Sequence, residues 1–336
     1  MNLHTKSPRI YTITGLCELF GRSKQAYHKY NENAALLKIA QEEFIIQFIR
    51  EIRVKDPGIG GMKLWYMYRN KFGVNNPVGR DRFEDIVDKY GLKVRAKVRK
   101  PKTTDSTHGL PVYPNLTKEL IPLRPDELWV SDITYVPIWL SEEEYIFCYL
   151  SLVLDAYTEE IVGWSVGPTL ETAYPLEALQ MALKRLDGKT DVEIIHHSDR
   201  GVQYASIDYV SLLKKHGFQI SMTENGDPKE NAQAERINNT MKNAMFKDIT
   251  FHSIREVIAA VADAVDFYNN ERPHMSISMM TPAEAARCTG EINKMWTSYK
   301  LIAIKSKLSG LDITENGLPL PSRQGSPSGL QPSVNP

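Results

Sequence analysis

Leu128-Trp129-Val130-Ser131-Asp132-Ile133-Thr134-Tyr135-Val136 sorts into two interleaved sets. Trp129, Ser131, Ile133 and Tyr135 fall on one side and Val130, Asp132, Thr134 and Val136 on the other, the period of a β-strand, with one acid set into an otherwise apolar face. Downstream, residues 145–155 form a nearly continuous apolar run, as a central strand buried on both faces requires. Ile161 to Val166 reads as a third strand. Leu176, Leu179, Leu183 and Leu186 then mark an amphipathic helix, Val192 to His197 a fourth strand, 206–216 a helix and 218–222 a short strand. Three strands in a meander followed by alternating helices and strands predict an α/β fold, a mixed five-stranded sheet flanked by helices.

The next helix is unusual. In Gly226-Asp227-Pro228-Lys229-Glu230-Asn231-Ala232-Gln233-Ala234-Glu235-Arg236-Ile237-Asn238-Asn239, Asp227 reads as an N-cap, Pro228 as the first helical residue and Glu230 as the third, a capping box. Ala234, Ile237, Met241, Ala244 and Met245 form a core-facing stripe, while Asn231, Glu235, Asn238, Asn239 and Lys242 share another. Asparagine is a poor helix former because its amide competes for backbone groups, so such a stripe costs stability and points to a task for Glu235. A further helix over 253–270 packs through Ile254, Val257, Ile258, Val261, Ala264, Val265 and Phe267 and ends in Tyr268-Asn269-Asn270-Glu271-Arg272-Pro273-His274.

Upstream the pattern is helical. Short helices over 13–20 and from Ser23 to Tyr30 have helix-turn-helix spacing. A longer one over 34–54 uses Ile39, Phe44, Ile45, Phe48, Ile49 and Ile52, and two more, over 62–72 and 79–90, flank the Asn75-Asn76-Pro77 turn. Such helices serve a small bundle as readily as a DNA reader. The run that follows, with Lys93, Arg95, Lys97, Arg99, Lys100 and Lys102 and no acid, favours DNA, because it would add salt-dependent phosphate contacts. The formal net charge of zero hides a division: residues 1–125 carry eleven more cations than acids and residues 126–336 eleven more acids than cations. The three cysteines, Cys17, Cys148 and Cys288, have no metal-type spacing and read as reduced side chains. No signal segment or long apolar run is present, so a cytoplasmic location is expected.

Asp132 within a strand, Asp199 just past the end of another and Glu235 on a helix form the candidate constellation. Each acid alone has an ordinary structural use, as a turn cap or a solvated helix residue. Converged, they would repel one another unless a cation sat between them, and oxygen-only ligation selects Mg²⁺ or Mn²⁺ over Zn²⁺. Two such ions would suit in-line phosphoryl displacement. Asp155 is a rival acid, with capping of the following turn as its alternative. Of the adjacent His196 and His197, one should pack and the other face the site.

Asp199 and Glu235 leave 35 residues between them, and this resembles the D,D(35)E pattern of retroviral integrases and insertion-sequence transposases with a ribonuclease-H-like core. The surrounding words, Trp129 to Tyr135, Asp155-Ala156-Tyr157 with Ile161-Val162-Gly163-Trp164, His197-Ser198-Asp199-Arg200-Gly201, Glu230-Asn231-Ala232 and Tyr268 to His274 with Thr281-Pro282, resemble the second-frame protein of the third insertion-sequence family. The resemblance implies a transposase whose Asp132, Asp199 and Glu235 hold two Mg²⁺ (or Mn²⁺) ions, cleave the element's ends and transfer the freed 3′ hydroxyl. It implies DNA contacts from Asn231, Arg236, Asn239 and Lys242, to which the basic run adds Arg95, Lys97, Arg99 and Lys100; Asp155, His197 and Arg200 are auxiliary candidates. The implied partners are terminal repeats and target DNA, further copies of the chain, and an upstream first-frame protein fused by frameshifting. Two departures stand out: Glu159-Glu160 where the family carries a basic residue, and Gly60-Gly61-Met62 in place of a more aromatic and basic segment. The implied organisation is a helical DNA-binding region at 1–102, a linker at 103–124, the catalytic core at 125–290, a helical extension at 291–308 and a disordered tail at 309–336. A DNA-binding regulator without catalysis and a metal-dependent nuclease without strand transfer are the other readings.

Overall fold

The computed structural model describes residues 12–29, 32–94, 109–186, 193–224 and 228–309. The chain divides into two compact units, Met1–Val54 with Ile59–Arg95, and Lys55–Gly58 with Ala96–Pro336. The first is helical: α1 (Ile13–Leu19), α2 (Lys24–Lys29), α3 (Glu32–Lys55), α4 (Gly61–Phe72) and α5 (Arg80–Lys89). Ile45, Ile49, Leu64, Tyr68, Phe83 and Ile86 are its core. The stripe expected on α3 is shorter than its sequence implies. Ile39 is 62% exposed, and Phe44 lies at the rim, edge-on to Phe72 at 5.0 Å, because the α4–α5 core begins at Ile45. Tyr68 and Trp65 donate to the carbonyls of Asn76 and Val78, which fixes the Asn75-Asn76-Pro77 turn. Arg95, Lys97, Arg99 and Lys100 lie outside the described residues, as does the expected tail beyond Ser309.

The second unit is built on one sheet. Strands β1 (Leu128–Trp139), β2 (Tyr145–Asp155) and β3 (Ile161–Gly167) form the antiparallel meander. Helix α6 (Ala173–Lys184) leads to β4 (Ile195–Ser198), and α7 (Val202–Ala205) with α8 (Ile207–Lys215) to β5 (Gln219–Met222). The strand order is β3-β2-β1-β4-β5, with β4 and β5 parallel to β1. Trp129 and Val153 face a core closed by α6 and α8 through Leu179, Ala182, Tyr209 and Leu213. Gly163 permits the close approach of α6, since a Cβ there would lie 2.1 Å from the Ala178 carbonyl oxygen. On β2 the apolar run is buried only from Cys148 onward; Tyr145 and Ile146, near the hairpin tip, are exposed.

The opposite face of β1 carries α9 (Ala232–Thr240), followed by α10 (Ile254–Asn270), the short α11 (Pro282–Ala285) and α12 (Tyr299–Ser309). Ala234, Ile237, Met241 and Met245 are buried as expected. The start of α9 differs from its reading. Pro228–Asn231 is a 3₁₀ turn, regular α-helix begins at Ala232, and the Glu230 carboxylate accepts the Glu224 N–H at 2.6 Å. The expected cap, Asp227, lies outside the described residues. A π-helical turn, Met241–Met245, follows α9. The expected helix over 206–216 is α8, and Ser206 caps it, its hydroxyl accepting from Tyr209 N–H.

Candidate active site

The parallel pairing of β4 stops at Ser131↔Ser198, so β1 runs on past the point where its neighbour ends. Asp132 is the next residue of β1 and Asp199 the next after β4. This register brings the two acids to one place at the carboxyl end of β4, where open α/β sheets place their ligands. Glu235 arrives from α9. The Asp132 carboxyl is pushed up to about 7, by burial first and then by the charge of Asp199, with a smaller push from Glu235. Two groups oppose the shift. The Ile133 N–H donates to Asp132 Oδ1 at 2.9 Å, and Asn238 Nδ2 donates to Oδ2 at 2.8 Å.

A buried acid whose proton affinity two neighbouring acids raise fits a hard divalent cation, which would replace the repulsion with attraction. Among the described residues no three His, Cys, Asp or Glu side chains already form a closed ligand set, so a cation would have to draw the carboxylates inward. Beside them the Tyr204 hydroxyl is buried without a hydrogen-bond partner among the described residues. Its proton is held well above the usual range by burial, the neighbouring Tyr209, and the charges of Asp132 and Asp199.

The other expected site residues divide clearly. Asn231 is buried, and its Nδ2 donates to the Ser131 carbonyl at 3.0 Å, so it anchors the start of α9 to β1. Asn239 is half-buried, and its side-chain oxygen lies 3.4 Å from Asn243 Nδ2. Lys242 lies over the Tyr135 ring at 4.1 Å. Arg236, half-exposed, approaches Glu159 at 3.8 Å and the Trp296 ring at 5.8 Å. Arg200 donates to the Thr223 carbonyl at 2.6 Å. Asp155 serves the turn: Oδ1 accepts from Tyr157 and Thr158 N–H, and Oδ2 from Asp126 N–H. Its carboxyl is raised to about 6 by burial, partly offset by those bonds.

The histidines separate as strand alternation requires. His196 turns into the α8 side, where its Nε2 meets Ser131 Oγ at 2.9 Å and the Tyr209 hydroxyl at 3.0 Å; burial and the neighbouring His197 lower its pKa to about 3. His197 turns the other way, with Ser221 Oγ at Nδ1 and the Glu230 carbonyl at Nε2. The motif after α10 is structural. Asn269 accepts from the N–H and donates to the carbonyl of Ile161, and Arg272 forms a buried ion pair with Asp56 at 2.7 Å. Asn238 is the residue the sequence did not single out as a site member, although it belongs to the asparagine stripe. Its partner lies 106 positions away.

A mixed five-stranded sheet of this order, with helices on both faces, is the ribonuclease-H-like core of integrases. Two integrase core domain families match the chain, over residues 122–228 and 216–282. The insertion element IS600 uncharacterized 31 kDa protein of Shigella sonnei is 30% identical over 270 residues, covering 80% of this chain and 96% of that one. The transposase for insertion sequence element IS629 from Shigella sonnei is 29% identical over 85% of this chain and 95% of its own. Transposase InsF for insertion sequence IS3A of Escherichia coli (strain K12) is 31% identical over 58% and 66%. The HTLV-2 integrase catalytic core domain in complex with magnesium is a structural neighbour at 15% identity and a TM-score of 0.38, over 50% of this chain and all of that one. The chain belongs to the IS3 family of insertion-sequence transposases, polynucleotidyl transferases of the DDE type. No described helix is long and apolar enough to cross a membrane.

Proposed function

We propose that the chain cleaves DNA at the ends of its insertion sequence and joins the freed 3′ hydroxyl to a second DNA site, with Asp132, Asp199 and Glu235 as the catalytic carboxylates. The observation that carries this reading is the register that sets Asp132 and Asp199 together at the carboxyl end of β4, with the helix of Glu235 tied to β1 through Asn231 and Asn238. The three acids would hold two Mg²⁺ or Mn²⁺ ions, which when bound would activate the attacking hydroxyl and neutralise charge on the phosphate. Hydrolysis of one phosphodiester frees a 3′ hydroxyl. That hydroxyl then displaces a 3′ oxygen from phosphorus in the second site, so the number of phosphodiester bonds is conserved in the joining step.

The chain's own part is positional. Ile133 N–H and Asn238 fix both oxygens of Asp132, and Asn231 holds the start of α9 against β1. Lys242, stacked on Tyr135, supplies a cation for phosphate from the far end of α9, with Asn239 between it and Glu235. Arg95, Lys97, Arg99 and Lys100 would grip the flanking backbone, and their contribution should weaken as salt rises. Work in multiple copies, and in fusion with a first-frame protein, belongs to the same reading.

Labelled duplexes carrying the element's ends, incubated with the protein in Mg²⁺ or Mn²⁺, should give nicked and joined strands. Glu235→Gln should abolish both while DNA is still bound. Nicking without joining, even with the upstream protein fused in frame, would replace the proposal with a nuclease; unchanged products from Glu235→Gln would remove that residue from the site.

A further inference from the structure

Behind the catalytic helix lies a cavity of about 270 Å³ that the chemistry above does not use. Leu128 and Val130 of β1 form an apolar floor, and Trp296, 40% exposed, is one wall. Segment 290–296 is strapped across this side by Gly290 N–H to Leu123 O, Tyr157 hydroxyl to Gly290 O and Met295 N–H to Met275 O. Cations stand at the wall: the Arg236 guanidinium and the Lys294 ammonium are each 5.8 Å from the Trp296 ring. Glu159, buried and paired with Arg236, and Glu230, whose carboxylate accepts the Glu224 N–H, balance the two cations of the lining.

Two of the polar groups bordering the cavity are acceptors, beside the hydroxyl residues Thr117, Ser276 and Ser298. Glu159 presents a carboxylate. Asn231 uses its Nδ2 on Ser131, while its Oδ1, buried, has no partner among the described residues. Gln233 and His197 also border the cavity, but Gln233 Nε2 is committed to the Ala156 carbonyl and His197 to Ser221 and Glu230. A flat ring that stacks on tryptophan, carries an exocyclic amine and trails a phosphate matches each feature. Arg236 follows Glu235 directly in sequence, so one helix carries both a catalytic candidate and a cation of the cavity wall.

We infer that the cavity receives one nucleotide flipped out of the DNA held at the active site, its base against Trp296 and its phosphate between Arg236 and Lys294, with amino-bearing bases preferred over thymine. This rests on the DNA-transposase reading and adds to it a site for an unpaired base. Flipping costs unstacking and unpairing, so a duplex already abasic opposite the flipped position should bind about tenfold more tightly than an intact one.

The test is a scan of 2-aminopurine through terminal-repeat duplexes with the full chain. One position near the cleavage point should brighten on binding as it leaves the duplex stack; that signal should change in Trp296→Ala, which removes the ring that quenches a stacked base, and vanish in Ala232→Trp, which adds bulk at the mouth without removing any core group. Thymine opposite the same base, which weakens no contact to the cavity, serves as the pairing control. Bound duplex with no brightened position, a signal that survives Ala232→Trp, or one that Trp296→Ala leaves unchanged would overturn the inference. If wild-type protein binds no duplex at all, the DNA reading itself fails, an outcome distinct from binding without flipping.

Discussion

Replacing Asn238 with leucine separates positioning from folding. The two side chains have the same number and branching of heavy atoms, so leucine fits the outline of asparagine beneath α9 with little rearrangement. Two things are lost: the 2.8 Å bond to Asp132 Oδ2 and a buried Oδ1 that has no partner among the described residues. A hydrogen bond to a charged group contributes about 1.5–3 kcal/mol, and an unsatisfied buried acceptor costs about 1–3 kcal/mol, so the two changes nearly cancel in stability. They do not cancel in function. Without the amide, one oxygen of Asp132 is free to rotate, and its carboxyl, already at about 7, moves higher because a group that favoured the charged form is gone. Divalent-cation affinity and strand joining should fall by about 10- to 100-fold, as when other supports of metal-ligating groups are removed. Because the acid must be ionised to act, the acid limb of the rate profile should shift to higher pH, and raised pH or Mg²⁺ should recover part of the rate. Joining assays over a grid of pH and Mg²⁺, beside thermal melts of both proteins, test this. A variant that melts much earlier, or one with unchanged cation dependence and pH profile, would refute the positioning argument.

His196 should set part of the acid sensitivity. Its folded-state pKa is depressed from 6.5 to about 3, so the unfolded chain takes up the proton first. Its contribution is whole above pH 6.5 and declines on acidification, by about 1.4 kcal/mol per pH unit until the folded group also titrates. Melting temperature should therefore fall less steeply below pH 6.5 in His196→Gln than in the natural chain, and parallel slopes would refute the assignment. Gly163→Ala forces a Cβ to within 2.1 Å of the Ala178 carbonyl oxygen; a loss of about 3 kcal/mol or more should appear as a lower melting point or insoluble protein, and a normal melt would mean that α6 can retreat. Tyr204→Phe removes a buried hydroxyl without a partner among the described residues, so stability should hold or rise by about 1 kcal/mol, and a clear loss on melting would show that the hydroxyl is bonded in solution.

What could be read before the fold was known follows from range. The strand period around Asp132, the apolar run of β2 and the place of Asp199 after β4 are local patterns, and the sheet keeps them. The turn-capping use of Asp155 was one of two readings open to it, and its three backbone partners all lie in or beside loops of the same unit. The α-helical start at Pro228 failed for a distant reason: Asn231 bonds the Ser131 carbonyl 100 positions upstream, and the chain takes a 3₁₀ turn to bring it there. Trp296 as the wall of a cavity was equally illegible. Nothing within one helical turn of it in sequence marks the β1 floor or the α9 arginine that it meets.

The asparagines of α9 resolve the conflict that local propensity poses. Apolar stripes place a helix on a sheet but tolerate sliding, because one turn of 5.4 Å sets similar side chains over similar grooves. Three amides prevent that here: Asn231 on the Ser131 carbonyl, Gln233 on the Ala156 carbonyl at 2.9 Å and Asn238 on Asp132. They reach β1 at two points and the β2–β3 turn at a third, which fixes both the axial position and the rotation of the helix, and Glu235 lies between the second and the third. Amides can do this beside an acid cluster because they add no charge. A lysine at 238 would bond Asp132 as well, but its ammonium would compete with any cation the carboxylates are meant to hold. The propensity lost by placing asparagine within a helix is a few tenths of a kcal/mol per residue, less than the roughly 1 kcal/mol that a hydrogen bond contributes, so the distant bonds outweigh the local cost.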